Sequence, residues 1–347
     1  MNKLIYLVDA RKKCGVGNLR RVVSLSEYMK FTKNIFLVKT DCELPPNIEY
    51  NGKDEYCLLP ERLEDEVSSV AEHCIFHKPK HLIADLFAGE YLNNPDDLIE
   101  YYITLQKRIK KISLITIDDA RMLNYKNNYS RLSIISNTEK PSLYTDKARL
   151  IGPEFTIFSK KILDAKGHIN KPKKYKFFVT FGGSDSTFDT FKVIQSLHKF
   201  GHTSSRDRVK VVLGKNLSCE YINKVKSFCL MAGYEFTFFY SDYLNDLVCS
   251  NFVICGEGST KFDAVALGVP PIIISQYDHD SQPMREFVNS ATSYYFGRTD
   301  DFSTLSFSKF IDFVVSDITG YEEKRNKGMR TYDCMGAFRI STHIESL

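Results

Sequence analysis

Phe252-Val253-Ile254-Cys255-Gly256-Glu257-Gly258-Ser259-Thr260 runs directly into Lys261 to Leu267. An apolar run of strand length meets a glycine-rich turn, and Phe262, Val265 and Ala266 then recur at helical spacing. The stretch reads as strand, loop and helix. Glycine lets a backbone approach a ligand closely, and a helix N-terminus offers N–H donors and the positive end of a dipole, so the loop is suited to phosphate. Ser259 and Thr260 add hydroxyl donors or a cap there. Asp263 follows in the first turn, where the dipole favours a carboxylate. It is placed either to accept the two hydroxyls of a ribose or simply to compensate the helix end.

The same unit recurs on both sides. Upstream, Phe177 to Phe181 leads into Gly182-Gly183-Ser184-Asp185-Ser186, and Leu4 to Val8 precedes Cys14-Gly15-Val16-Gly17-Asn18-Leu19-Arg20-Arg21. Further strand-like runs are Ile35 to Val38, Leu82 to Leu86, Leu114 to Ile117, Leu132 to Ile135, Val209 to Leu213, Glu235 to Phe239 and Pro271 to Ile274. Val22 to Tyr28, Leu98 to Ile109, Thr190 to Phe200 and Lys261 to Leu267 carry the helical period between them. This rhythm predicts parallel sheets covered on both faces. The polar, lysine-rich stretch ending in Lys171-Pro172-Lys173-Lys174 interrupts it. The expected organisation is therefore α/β with two doubly wound, Rossmann-like domains, 1–155 and 174–320. A linker (156–173) joins them, and a C-terminal helix and tail follow (321–347). Ligands of such sheets bind outside the carboxyl ends of the strands, where all three glycine loops fall.

Composition narrows the function. Hydrophobic residues make up 43% of the 347 and charged residues 26%, an ordinary globular balance. The 47 basic and 43 acidic residues leave a net charge of +4, too even for a nucleic-acid binder. The cysteines form no C-x-x-C pair and several lie in apolar runs, which predicts reduced thiols. The N-terminal apolar stretch is too short for a signal peptide and no run approaches membrane-spanning length, so a cytoplasmic protein is expected. The basic runs Lys107-Arg108-Ile109-Lys110-Lys111 and Lys171 to Lys174 read as solvated faces, with peripheral attraction to an anionic membrane as the alternative.

Other residues invite weaker readings. Gly15-x-Gly17 with Asp41 has the outline of a dinucleotide fingerprint, but Arg20 occupies the third glycine position, where close packing excludes a side chain. His73 and His77 lie four apart on a helix that Pro79 ends, without a third metal ligand. Asp118-Asp119 is read as structural or site-lining. His279 lies between Asp278 and Asp280, which favour its imidazolium for binding phosphate or moving a proton; an exposed polar loop is the alternative.

Taken in order, Gly15-x-Gly17-x-x-x-Arg21-x-x-x-Leu25-Ser26, Ile117-Asp118-Asp119, Gly152-Pro153-Glu154-Phe155, Phe181-Gly182-Gly183-Ser184-Asp185 and Gly256-x-Gly258-Ser259-Thr260 resemble the UDP-sugar hydrolases of pseudaminic acid biosynthesis. The tail motif Asp333-x-x-Gly336-Ala337-x-Arg339-Ile340 fits as well. That family is similar to the lipid II-forming N-acetylglucosaminyltransferase. The resemblance implies a GT-B-like fold, two Rossmann-like domains facing a cleft, with no bound metal and no cofactor. The C-terminal domain would hold a UDP- or CMP-sugar through Gly182, Gly183, Ser184, Gly256, Glu257, Gly258, Ser259, Thr260, Asp263 and Gln282. Gly15, Gly17 and Arg21 would form an acceptor-side loop. Three positions depart from the family. Asn18 stands where the hydrolases have a histidine that activates water, and an amide cannot take a proton near neutral pH. Phe87, two residues after Asp85, replaces a tyrosine. Asp280-Ser281-Gln282 replaces Asp-Asn-Gln. The expected activity is glycosyl transfer to a saccharide or lipid-linked acceptor, with Asn18, Asp85 and His279 as catalytic candidates. A UDP-sugar hydrolase of pseudaminic or nonulosonic acid biosynthesis using another base, such as His279, and a catalytically dead nucleotide-sugar binder remain the alternatives.

Overall fold

The computed structural model describes residues 3–11, 17–31, 33–41, 54–60, 63–86, 95–117, 129–136, 149–182, 185, 187–202, 208–214, 217–238, 243–276 and 282–347. The chain divides into two compact units, Met1–Ser159 with Met335–Leu347, and Lys160–Cys334.

The first unit runs β1 (Lys3–Asp9), α1 (Gly17–Ser26), β2 (Lys33–Lys39), β3 (Glu55–Leu58), α2 (Leu63–His77), β4 (His81–Asp85), α3 (Pro95–Ile109), β5 (Ser113–Ile117), β6 (Leu132–Ile135) and β7 (Arg149–Ile151). Its strands pair in parallel in the order β3-β2-β1-β4-β5-β6-β7. The apolar runs are continuous because both faces are buried. Along β1, Ile5 and Leu7 pack with Val70 and Leu105 of α2 and α3. Leu4, Tyr6 and Val8 point the other way, toward Leu19, Val22 and Leu25 of α1. Tyr6, Phe36 and Tyr56, cross-strand partners on β1, β2 and β3, stack with centroids 4.7 and 4.8 Å apart.

The second unit runs α4 (Lys160–Lys166), β8 (Tyr175–Thr180), α5 (Asp189–Lys199), β9 (Val209–Leu213), α6 (Cys219–Ala232), β10 (Glu235–Phe238), α7 (Tyr243–Val248), β11 (Ser250–Cys255), α8 (Thr260–Ala266), β12 (Pro271–Ser275), α9 (Gln282–Asn289), β13 (Tyr294–Arg298), α10 (Thr304–Ser316) and α11 (Ile318–Thr331). Its parallel order is β10-β9-β8-β11-β12-β13. Renumbered within each unit, both sheets begin 3-2-1-4-5-6, so strand order reverses between β1 and β4 and again between β8 and β11. These switch points open a crevice at the carboxyl ends of the strands.

The segment 156–173 holds more order than its composition suggests. Residues 160–166 form α4, which buries Ile162 and Ala165. Lys166 Nζ donates to the carbonyls of Met329 and Tyr332, both at 3.2 Å, tying α4 to the end of α11. Lys173 donates to Val248 O at 2.8 Å, so the second basic run is partly spent capping α7. The chain then ends in α12 (Gly336–Ser346), whose Ala337, Ile340 and Ile344 complete the α1 side of the first sheet. Arg339 fastens it by donating to Glu154 O at 2.9 Å. A Cβ on Gly336 would stand 2.8 Å from the backbone carbons of Phe155 and Thr156. The Gly152-to-Phe155 and Gly336-to-Arg339 motifs are thus two halves of one helix attachment. No described helix is long and apolar enough to cross a membrane.

Candidate functional site

In the first unit the switch-point strands end on buried carboxylates. Asp9 closes β1 at 1% exposure and Asp85 closes β4 at 0%. Arg11 holds Asp9, with Nε 2.9 Å from Oδ1 and Nη2 2.5 Å from Oδ2. Arg21, one turn into α1, holds Asp85 in the same side-on manner, at 2.7 and 2.5 Å. Burial pushes the Asp85 carboxyl up from the ordinary aspartate value; the Arg21 guanidinium draws it back, and the Asp9 charge raises it again. With both oxygens held and no surface open to solvent, Asp85 has the geometry of a group that positions Arg21, not that of a base. Asn18 Nδ2 lies 3.4 Å from the Asp85 carbonyl, so the amide sits over the end of β4. Beside them Lys39, the register partner of Asp9, pairs with Glu66 at 2.8 Å, and Tyr101 donates to the same carboxylate at 2.6 Å. Sequence reading found Asn18, Arg21 and Asp85 and missed Asp9, Arg11, Lys39 and Glu66. The available signal was a charged residue ending each apolar run, Val8-Asp9 and Val38-Lys39.

In the second unit, the β8 loop turns at Gly182, whose φ of 75° favours glycine. Asp185 is buried and accepts from the backbone N–H of Asp189 and Thr190, at 2.9 and 3.3 Å, and from the Tyr221 hydroxyl at 2.6 Å. It anchors the start of α5. Burial raises its carboxyl pKa, which the hydrogen bonds from Tyr221 and Thr190 oppose and the Asp189 charge adds to.

The β11 loop is held from below. Gln276, just past β12, donates to Thr187 at 2.9 Å, and its Oε1 would stand 2.8 Å from a Cβ on Gly256. Glu257 accepts from Ser275 through its side chain and from the Lys261 ammonium through its carbonyl. Lys261 is 7% exposed and lies over the rings of Phe262 and Phe287, 4.5 and 5.4 Å from their centroids. Burial pushes it down to about 8, against the Glu257 charge. Asp263 accepts from the Tyr243 hydroxyl at 2.6 Å, which ties α8 to α7 and shows that this carboxylate has a structural partner. Ser259 occupies the N-cap position of α8 without a side-chain cap bond. Gly258 contrasts with Gly256: nothing lies within 4 Å of a Cβ built there, and its φ is not in the left-handed region. Gly17, at the start of α1, shares both properties. Gln276, Lys261 and Tyr243 were not singled out from the sequence.

Gly15, Phe87, Asp118, Asp119, Gly183, Ser184, His279, Asp280 and Ser281 lie outside the described residues, as does the side chain of Gln282, the first residue of α9. The rings of His73 and His77 stack on α2 with centroids 5.8 Å apart. No group of potential metal ligands occurs among the described residues.

Two doubly wound parallel units of one strand order, with the last helix returned to the first unit, make this a GT-B-like fold. Solved structures of the same architecture include Acinetobacter baumannii MurG, with a TM-score of 0.65, 8% identity and 100% of both chains covered. CalG4, the calicheamicin glycosyltransferase, aligns at 0.62 with 10% identity, covering 100% of this chain and 98% of its own. S. aureus MnaA, solved with UDP, aligns at 0.60 with 11% identity, covering 99% of this chain and 96% of its own. In sequence, the chain is 24% identical over 293 residues to the uncharacterized protein MJ1062 of Methanocaldococcus jannaschii, a match taking in 79% of this chain and 56% of the relative. The chain thus spans about half the length of that curated relative. No protein-family model matches it.

Proposed function

We propose that this chain is a metal-independent glycosyltransferase of GT-B type that uses a UDP- or CMP-sugar and serves surface glycan synthesis. Its acceptor would be a saccharide or a lipid-linked saccharide. The observation that carries the reading is the character of Gly258. A glycine that neither its backbone angle nor its neighbours require opens a helix beside the switch point, leaving amide groups that a phosphate can approach. Gly17 has the same character in the first unit. The fold neighbours support the reading in kind: one is described as a glycosyltransferase and another was solved with UDP.

In the proposed reaction an acceptor hydroxyl oxygen bonds the anomeric carbon as the glycosyl–phosphate bond breaks and the nucleotide leaves. The amides of Gly256 to Thr260 stabilise the charge developing on the leaving phosphate, with Gly182, Gly183 and Ser184 completing the donor loops. Gln282 contacts the donor sugar and His279 takes the acceptor proton. On the acceptor side, Gly15, Gly17, Asn18 and Arg21 orient the incoming group, and Asp85 holds Arg21 and Asn18 in place.

The motif order shared with the pseudaminic acid hydrolases favours one second reading, in which water is the acceptor. Incubation with UDP- and CMP-sugars, with and without acceptors, separates the two. Nucleotide release that requires an acceptor supports the transferase, and equal release without one supports the hydrolase. Binding without release in either condition would replace both with a nucleotide-sugar binding protein.

A further inference from the structure

At the amino end of the first sheet, the turn from α3 to β5 and the residues leading into β6 border an open groove of about 310 Å³. Among the described residues, Lys110, Lys111 and Arg131, all exposed, line it together with Gln106, Ser113 and Ser130, and no described carboxylate does. Among the described residues none of these three cations has an ion-pair partner. Helix ends attract cations because the dipole leaves about half a negative charge there. That accounts for a fraction of one charge. Three charges converge here, and Arg131 comes from a different segment altogether.

The walls are fixed. Gln106 Nε2 donates to Ile112 O at 3.2 Å, which braces the turn that carries Lys110 and Lys111. Arg131 N donates to Leu114 O at 2.8 Å and sets Arg131 over the start of β5. Ser130 Oγ belongs to a hydroxyl triangle with Thr116 and Ser133, at 3.3 and 3.2 Å. Lys110 has a φ of 24°, in the left-handed region. Three exposed like charges around one groove repel one another, and an anion between them relieves the repulsion. A guanidinium offers two parallel donors to phosphate oxygens and the lysines add mobile ammonium groups. β5 begins here, so the groove lies at the amino end of the strands, away from the carboxyl ends where reacting ligands of such sheets bind.

We propose that this basic groove is a phosphate-binding site that anchors or tunes the first unit and takes no part in the reaction. The phosphate is carried either by a soluble phosphorylated molecule or by an anionic lipid headgroup. The proposal does not depend on the reaction assigned above.

The test compares the full chain with the Lys111→Gln/Arg131→Gln double variant at physiological ionic strength. One arm titrates pyrophosphate calorimetrically, with Gly258→Val as the background so that the glycine loop is disabled. The other measures flotation with phosphatidylglycerol vesicles against phosphatidylcholine vesicles. Each cation removed weakens binding about fivefold, so the double variant binds about 25-fold more weakly in the arm that matches the native source. Such a loss with pyrophosphate identifies a soluble ligand, and a loss confined to phosphatidylglycerol vesicles identifies a headgroup. Equal behaviour of the two proteins in both arms, including no binding by either, overturns the proposal. Unchanged nucleotide release by the double variant is expected, and a parallel loss of release would overturn the claim that the site stands apart from the reaction.

Discussion

Arg21 and Asp85, 64 residues apart in sequence, meet through two side-on hydrogen bonds at the carboxyl edge of the first sheet. The partners differ in solvent access: the Arg21 side chain is 28% exposed and that of Asp85 0%. Breaking the pair from either side therefore has unequal consequences. Asp85→Asn leaves a guanidinium that can turn to water, whereas Arg21→Met leaves a carboxylate sealed in the sheet. Loss of one member of a buried pair costs about 3–5 kcal/mol. Arg21→Met is expected near that range at neutral pH and Asp85→Asn about 1–2 kcal/mol less. Because burial already raises the Asp85 pKa, acidification protonates the stranded carboxyl and narrows the gap. Urea unfolding of both variants at neutral and mildly acidic pH checks this. Equal stabilities at neutral pH would contradict the assigned burial.

Gly256 and Gly258 lie two residues apart and should answer differently to substitution. Gly256→Ala pushes against the Gln276 amide, the movable end of a side chain, and threatens its bond to Thr187. A stability loss of about 1 kcal/mol is expected. Gly258→Val meets open space, so stability should hold while the new side chain blocks the phosphate position. Calorimetric titration with UDP and CMP decides the matter. A folded Gly258→Val protein that binds either as the parent does removes this loop from the site.

These contrasts show what sequence could and could not supply. The strands buried on both faces were legible, because sequences such as Leu4 to Val8 and Ile272 to Ile274 have no solvent side to mark. Of the edge strands β10 was, as Glu235 to Phe239, but β3, β7 and β13 were not. Glu55-Tyr56-Cys57-Leu58 is half-polar and only partly buried, and β13 is broken by Gly297 at φ 125° and a register shift opposite Ile273 and Ile274. The glycine loops were legible as turns because backbone freedom is written in residue type. Which glycines the fold itself requires was not, since that depends on Gln276 lying over Gly256 from another strand. Asp185 likewise sits in a motif suggestive of ligand, while its oxygens are spent on the start of α5 and on Tyr221.

His81, at the start of β4, is expected to give the stability curve an acid limb. It is 1% exposed, neither ring nitrogen has a hydrogen-bond partner among the described residues, and Phe31 packs edge-on at 6.4 Å between centroids. Burial, with a smaller contribution from Lys80, pushes it from 6.5 down to about 4. Between those values the unfolded chain binds a proton that the folded one refuses. The contribution of neutral His81 is thus complete above pH 6.5 and declines as pH falls toward 4. A shift of this size corresponds to at most about 3 kcal/mol. His81→Phe should flatten the loss of stability between pH 6.5 and 4 relative to the parent. Parallel curves for the two proteins would show that His81 does not carry the limb.

Asn18 bears most directly on the reaction. Its carboxamide lies over the end of β4, beside the Arg21–Asp85 pair, at the position where the hydrolases that the sequence resembles carry a histidine. An amide can hold an acceptor oxygen or a sugar hydroxyl but cannot accept the proton of attacking water. Asn18→Ala should therefore slow transfer without creating hydrolysis. Asn18→His should introduce acceptor-independent release of free sugar, by at most the roughly 10²–10⁴-fold of general base catalysis. The gain is expected at the lower end, because Phe87 and Ser281 still replace a hydroxyl and an amide found in the hydrolases. The deciding measurement is free sugar released from the donor alone. Rapid release by the parent protein that disappears in Asn18→Ala would mean that Asn18 serves hydrolysis, and the transferase assignment would then fail.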